Sequence, residues 1–248
     1  VRVISRNAND TFDEAFFRRR VRYALDYRKT VMGPTDYRCC RLIFGEADQF
    51  PGLTVDRFEN VLVTQVLSLG MERRKDMVYR ALVELLREDG ETIDAIYERN
   101  DVAIRVLEGL EQGKGFYPME GLKTDLSGHV TITENGIKYD VGYIEGQKTG
   151  FFLDQKYNRQ AAARLACGRR VLDCFTHTGA FALNAAAAGA QQVTAVDVSA
   201  FALELPPYRA PQVGQVIVRS VLDRTLFVLE RAAAVAAPAG MILWTLAN

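Results

Sequence analysis

The chain has 248 residues, 48% apolar and 25% charged, enough apolar material for one large or two medium domains, which excludes a disordered or fibrous polypeptide. Lysine plus arginine and aspartate plus glutamate both number 31, so no bulk charge draws the chain to nucleic acid, a membrane or an acidic partner. Four cysteines without CxxC spacing, two of them adjacent at 39 and 40, fit a reduced cytoplasmic protein better than a disulfide scaffold or zinc site, and charges break every apolar run short of the roughly 20 residues a membrane span needs.

The opening VRVIS reads as the last strand of a unit that begins elsewhere. Thr11 stands three residues before Glu14, a capping-box spacing, and Phe17, Val21 and Leu25 then repeat at helical period. This helix is basic: Arg18, Arg19, Arg20 and Arg22 either track phosphates or form a solvated face. CRLIFGE, LTVDRF and VLVTQVL follow at strand length, the last two joined by a Glu59–Asn60 turn. Met77, Val78, Ala81, Leu82, Leu85 and Leu86 predict a helix over 73–88 that stops at Asp89–Gly90. IDAIYER and VAIRVLE predict two more strands. In VTITENGIKYDV, Asn135–Gly136 supplies the two positive-φ positions of a tight hairpin. The sum is an α+β domain with one helix against a small antiparallel sheet.

After Gly146 the pattern becomes a helix over 154–166, the strand RRVLDCF, the helix AFALNAAAAG and the strand QVTAVDV. Helices between short apolar strands predict a doubly wound, Rossmann-like α/β sheet whose ligand lies beyond the carboxyl ends of the strands. Asp173 and Asp197 end those two strands, the second 18 residues after Gly179. An acid ending the second strand suits ribose hydroxyls. The loop between has one glycine where a dinucleotide fingerprint needs three, and a pyrophosphate would meet Asp173. A cationic ligand without phosphate fits this edge, and S-adenosylmethionine is such a ligand; an acid at a strand end serves equally as a helix cap. In GQKTGFFLDQKYNR, polar groups crowd around Phe151–Phe152. This is either a lip, with a ring facing the methyl-bearing cation and a basic side chain at the methionine carboxylate, or two core rings beside a solvated helix end.

GEADQFPGLTVDRF, IYERND, LEGL, ENGIKYDV, GQKTGFFLDQKYNR, VLDCFTHTGAFALNAAAAGA and VTAVDVSAFAL together resemble the RlmI-type class of S-adenosylmethionine-dependent RNA methyltransferases, over roughly residues 1–205. The resemblance implies a PUA domain, a central α+β domain and a Rossmann-like catalytic domain acting on carbon 5 of a cytosine in 23S ribosomal RNA. On it, residues 1–35 are the remnant of the PUA domain and a linker helix, 36–145 the central domain and 146–248 the catalytic domain. Residues and resemblance together name Phe152, Asp154, Arg159, Asp173, Phe175, Thr176, Thr178, Gly179, Asp197 and Val198 as cofactor-binding. Large-subunit RNA is the implied partner, with a second copy of the chain as a further candidate and no membrane.

Beyond Leu205 the family pattern stops. Pro206–Pro207–Tyr208 lacks the acid or asparagine of the family's late DPP-type motif, and QVIVRS, LFVLERAAAVAA and GMILWTLAN read as strand, helix and strand. Methylation at carbon 5 needs a thiolate to add at carbon 6, yet Cys39, Cys40, Cys167 and Cys174 all read as small packed hydrophobes. The catalytic residue stays unassigned. Two separated histidines, His129 and His177, give no metal set. Three readings stand: a cytosine-5 RNA methyltransferase; a degenerate member that binds cofactor or RNA without turnover; and a relative that methylates a guanine nitrogen, which needs no thiol.

Overall fold

The computed structural model describes residues 3–197; Val198 and every element expected after it lie outside them. Helix α1 (Glu14–Val31) begins where extended Asp13 accepts a hydrogen bond from the Phe16 amide at 2.9 Å. The cap is therefore Asp13 and not Thr11, whose hydroxyl donates to the Asp13 carboxylate at 2.8 Å; a carboxylate suits the positive end of a helix better than a hydroxyl. Glu14, instead of closing a capping box, pairs with Arg80. Phe17, Val21 and Leu25 are fully buried, as their spacing requires.

A four-residue turn of helix, α2 (Pro34–Tyr37), leads into a sheet ordered β1 (Cys39–Phe44), β2 (Leu53–Phe58), β3 (Val61–Val66), β4 (Ala95–Arg99) and β5 (Lys114–Phe116). The predicted meander is present in β1–β3, which pair antiparallel. The sheet is nevertheless mixed, because β3 and β4 run parallel: the chain returns between them through α3 (Leu69–Glu72) and α4 (Lys75–Glu88), the crossover that a parallel pair demands. VAIRVLE is not a strand. It forms α5 (Ile104–Leu107), in which Ile104, Val106 and Leu107 are exposed while Arg105 is buried and donates to the Val66 carbonyl. The alternation there marks the outside of one helical turn.

Both faces of the sheet are covered. Leu62, Thr64 and Val66 of β3 point toward α1 and α4, where the Thr64 hydroxyl meets the buried Tyr79 hydroxyl at 2.8 Å. Val61 and Val63, on the other face, pack with Ile132, Tyr139 and Val141 of the hairpin β6 (His129–Glu134) and β7 (Ile137–Gly142). Asn135 and Gly136 take φ of 54° and 80° at its tip, as the sequence requires. Two helices, α1 and α4, and not one, thus cover one face of the sheet and share its core.

The arginines of α1 are answered within the chain. Arg18 bonds Glu84 and Glu88, Arg22 bonds Asp89 and Glu88, Arg19 bonds Asp10, and Arg20 lies over the Phe16 ring. Of the two readings of this helix, the structure favours a paired surface over a phosphate track. Asp89 takes bonds from Lys29 and Arg22; burial opposes its ionisation, but those two cations outweigh it and hold the carboxyl below its ordinary 3.8. Because the folded pKa lies below the unfolded one, the stabilisation is complete above 3.8 and disappears as pH falls through the folded value. Urea midpoints of Asp89→Asn and the parent protein are therefore expected to differ at neutral pH and to converge as pH falls well below the ordinary value of 3.8; a gap that persists in strong acid would refute the assignment.

The second half begins with α6 (Lys156–Ala166), then β8 (Arg170–Cys174), α7 (Ala180–Ala187) and β9 (Gln192–Val196), with β8 and β9 parallel. This is the βαβ start of a doubly wound, Rossmann-like sheet. No helix among the described residues is long and apolar enough to cross a membrane.

Candidate functional site

The parallel register sets Asp173 beside Ala195 and Cys174 beside Val196, so β8 and β9 end together and bring Asp173 and Asp197 to one edge. Between them runs the loop Phe175–Gly179, with φ of 62° at Phe175, 53° at His177 and 73° at Gly179. Gly179 is the residue type for such a turn; the other two carry the strain that a site holds in place. The loop is tied at four points. The Thr176 hydroxyl donates to Asp173 Oδ2 at 2.6 Å, the Ala182 amide to the same oxygen at 3.1 Å, the Thr176 amide to the Val196 carbonyl at 3.1 Å, and the His177 amide to Asp197 Oδ2 at 2.5 Å.

These bonds decide what the edge can hold. In a phosphate site the amides at a helix N-terminus face the anion. Here Asp173 takes the Ala182 amide in the first turn of α7 and Asp197 takes that of His177, so two carboxylates occupy the place of a phosphate. A pyrophosphate is repelled and a cation attracted. Asp173 is at once a helix cap and an acid at the ligand edge, so the two sequence readings of it are compatible.

The lip lies against this loop. The Phe152 ring meets His177 edge to face, with centroids 5.1 Å apart, and Lys148 Nζ stands 5.1 Å from the centre of the Phe152 ring. Phe152 is half-buried whereas Phe151 is buried against Tyr139; one ring belongs to the site and the other to the core. Tight backbone makes this possible: a Cβ at Gly146 would collide with the Gly142 carbonyl, and Gly150 takes φ of 120°. The lip is moored to the sheet. The buried Thr149 hydroxyl donates to Asp56 at 2.6 Å, Arg99 donates to the Tyr143 and Gly146 carbonyls, and Lys156 donates to Asp36 and to the Cys39 carbonyl.

Not every expected contact group is in reach of a ligand. Arg159 is 3% exposed, bonds Glu134 at 2.6 Å and the Phe152 carbonyl at 2.8 Å, and covers the Phe151 ring at 4.5 Å. Its guanidinium faces protein and not a carboxylate from solution, because Glu134 is a buried acid that needs a cation. Asp154 is exposed and accepts from Gln155; Thr178 and Phe175 are exposed on the loop. The edge and its lip thus gather Phe152, Asp154, Asp173, Phe175, Thr176, Thr178, Gly179 and Asp197, with His177 added, while Arg159 is turned into the protein. Glu134, Thr149 and Asp56 escape sequence reasoning, since their contacts join segments 25 to 93 residues apart.

The cysteines divide. Cys39 and Cys40 are buried, and burial pushes both thiols up, that of Cys40 to about 12. Cys167 and Cys174 are exposed where four packed thiols are expected, since one caps the end of α6 and the other ends β8. Cys174 ends β8 at the ligand edge; Cys167 precedes the strand's opposite end. Among the described residues no three His, Cys, Asp or Glu side chains are grouped to hold a metal.

Residues 117–240 match the family model described as S-adenosylmethionine-dependent methyltransferase. The chain is 42% identical over 207 residues to "Ribosomal RNA large subunit methyltransferase I" of Pseudoalteromonas atlantica, covering 82% of this chain and 49% of that protein. It is 43% identical over 206 residues to the protein of the same name from Pseudoalteromonas translucida, with the same coverage. The chain thus spans about half the length of these curated relatives. Among solved structures it resembles a protein from Streptococcus mutans assigned as a SAM-dependent methyltransferase, with a TM-score of 0.65 at 24% identity over 80% of this chain and 48% of that one. SMU.776, assigned as a methyltransferase and complexed with SAH, aligns with a TM-score of 0.66 at the same identity and coverage. These two likenesses concern the fold.

Proposed function

The chain belongs to the S-adenosylmethionine-dependent methyltransferase family, and on that premise we propose that it methylates carbon 5 of a cytosine in large-subunit ribosomal RNA. One observation carries the reading: paired carboxylates, at the ends of adjacent parallel strands, occupy the amides that would otherwise greet a phosphate. The name of the curated relatives supports RNA of the large subunit as substrate.

When bound, S-adenosylmethionine supplies a methyl group whose bonding pair leaves on sulfur. Asp197 would accept the ribose hydroxyls, while Asp173, Thr176 and Gly179 fix the loop around the ligand. Phe152, backed by His177, would close one side as an apolar wall beside the methyl-bearing cation. A base in a duplex must be flipped out to reach it. Of the thiols, Cys39 and Cys40 stay protonated at neutral pH, and none of the four is assigned as nucleophile. The lack of an assigned thiol leaves, as second reading, a chain that binds cofactor or RNA without turnover.

Tritiated methyl donor and large-subunit RNA, followed by digestion to nucleosides, test the proposal. Labelled 5-methylcytidine is the expected product. Labelled methylguanosine would transfer the chain to the guanine-nitrogen class, and unlabelled RNA despite calorimetric binding of the donor would leave the second reading. Self-association, the remaining proposed partnership, is checked by sedimentation of the purified chain.

A further inference from the structure

The hairpin tip does more than turn the chain. Glu134, the last residue of β6, is fully buried, and its Oε1 accepts from Arg159 Nη1 at 2.6 Å. The same guanidinium donates through Nη2 to the Phe152 carbonyl, covers the Phe151 ring and lies 5.8 Å from the centre of the Phe181 ring on α7. Arg159 thus touches the hairpin, both aromatic residues of the lip and the helix that follows the ligand loop. Asn135, one residue on, binds in the other direction. Its Nδ2 donates to the Lys156 carbonyl at 3.3 Å and to Asn184 Oδ1 at 3.0 Å, while its Oδ1 accepts from Gln160 at 2.6 Å. Asn184 in turn donates to the Tyr139 hydroxyl and to the Ala180 carbonyl in the first turn of α7.

We propose that the tip of the β6–β7 hairpin is a positioning clamp for the methyl-donor site: Glu134, through Arg159, sets the Phe151–Phe152 turn of the lip, and Asn135 locks α6 to α7 so that the Asp173–Gly179 loop faces that lip. Glu134, Asn135 and Arg159 are positioning residues in this account and touch no ligand. The assignment rests on the S-adenosylmethionine reading of the site. Its physical basis is the cost of a buried acid. Glu134 takes its hydrogen bond from one terminal nitrogen of an arginine whose other terminal nitrogen is spent on the Phe152 carbonyl, so the pair ties hairpin, lip and helix into one arrangement. A turn built only to reverse the chain needs neither the acid nor a side chain on its first residue; glycine serves there equally well.

Asn135→Gly is the cleanest probe, since glycine keeps the φ of 54° and loses only the three side-chain bonds. Glu134→Gln probes the other arm. In the full chain, well below the melting midpoint, each variant is expected to raise the calorimetric Kd for S-adenosylhomocysteine at least fivefold, and amide exchange at residues 151–155 and 176–180 is expected to quicken. A residue with only a structural role would lower the melting temperature and leave Kd and local exchange unchanged. Parental Kd in both variants overturns the clamp, whatever happens to exchange. If the parent chain itself binds no S-adenosylhomocysteine, the cofactor reading fails on that measurement, and the exchange rates alone then decide the clamp: faster exchange in both windows sustains it and unchanged exchange removes it.

Discussion

Calorimetry of Asp197→Ala is expected to show affinity for S-adenosylmethionine reduced at least tenfold, about 1.4 kcal/mol. A carboxylate that accepts two ribose hydroxyls makes charge-assisted bonds of roughly 1.5–3 kcal/mol, and Asp197 also holds the His177 amide at 2.5 Å. Alanine removes both contributions. Asp197→Asn separates them, because an amide oxygen still accepts from His177 but the second acceptor becomes a donor. The asparagine variant is expected to keep the loop and lose most of the ribose affinity. If it binds like the parent while alanine does not, Asp197 acts by shaping the loop; if both bind like the parent, the ribose role is gone.

Asp56→Ala is expected to cost about 2–4 kcal/mol of folding stability, read as a lower urea midpoint at unchanged slope. Asp56 is fully buried, takes both nitrogens of Arg41 at 2.7 and 2.9 Å and the Thr149 hydroxyl at 2.6 Å. Removing it strands a buried hydroxyl and a guanidinium. Arg41 is partly exposed and can turn to water, which keeps the cost below that of a fully enclosed pair. Thr149→Val, which removes one bond and keeps the shape, is expected to cost about 1 kcal/mol. Equal midpoints for Asp56→Ala and the parent would mean that the mooring of the lip contributes nothing to the folded state.

Elements whose signal is local were legible in the sequence: the stripe of α4, the strands β1–β3, the Asn135–Gly136 turn and the two acids ending β8 and β9 all stand where their spacing puts them. Where competing local signals met, the sequence misled. Asp13 outcompeted Thr11 as cap, and VAIRVLE alternates because one helical turn exposes Ile104, Val106 and Leu107 around a buried arginine. The parallel pairing of β3 and β4 is concealed because a helix between two strands reads the same whether it interrupts a meander or crosses over. In the site, the acids could be found from topology, but the true employment of Arg159 could not. An arginine near two phenylalanines looks the same whether it awaits a ligand or serves Glu134, and the partner that decides it lies 25 residues away on another element.

The moorings of the lip bear on how such a chain can be rearranged by recombination. In the sequence, the change of pattern after Gly146 marks the start of a separate domain. Thr149, Lys156 and the Gly146 carbonyl nevertheless bond across that boundary, to Asp56, Cys39 and Arg99 of the preceding half. A chimaera that kept everything after residue 146 but exchanged the sheet would inherit the loop and the Phe152 wall without the anchorage that Asp56, Cys39 and Arg99 give them.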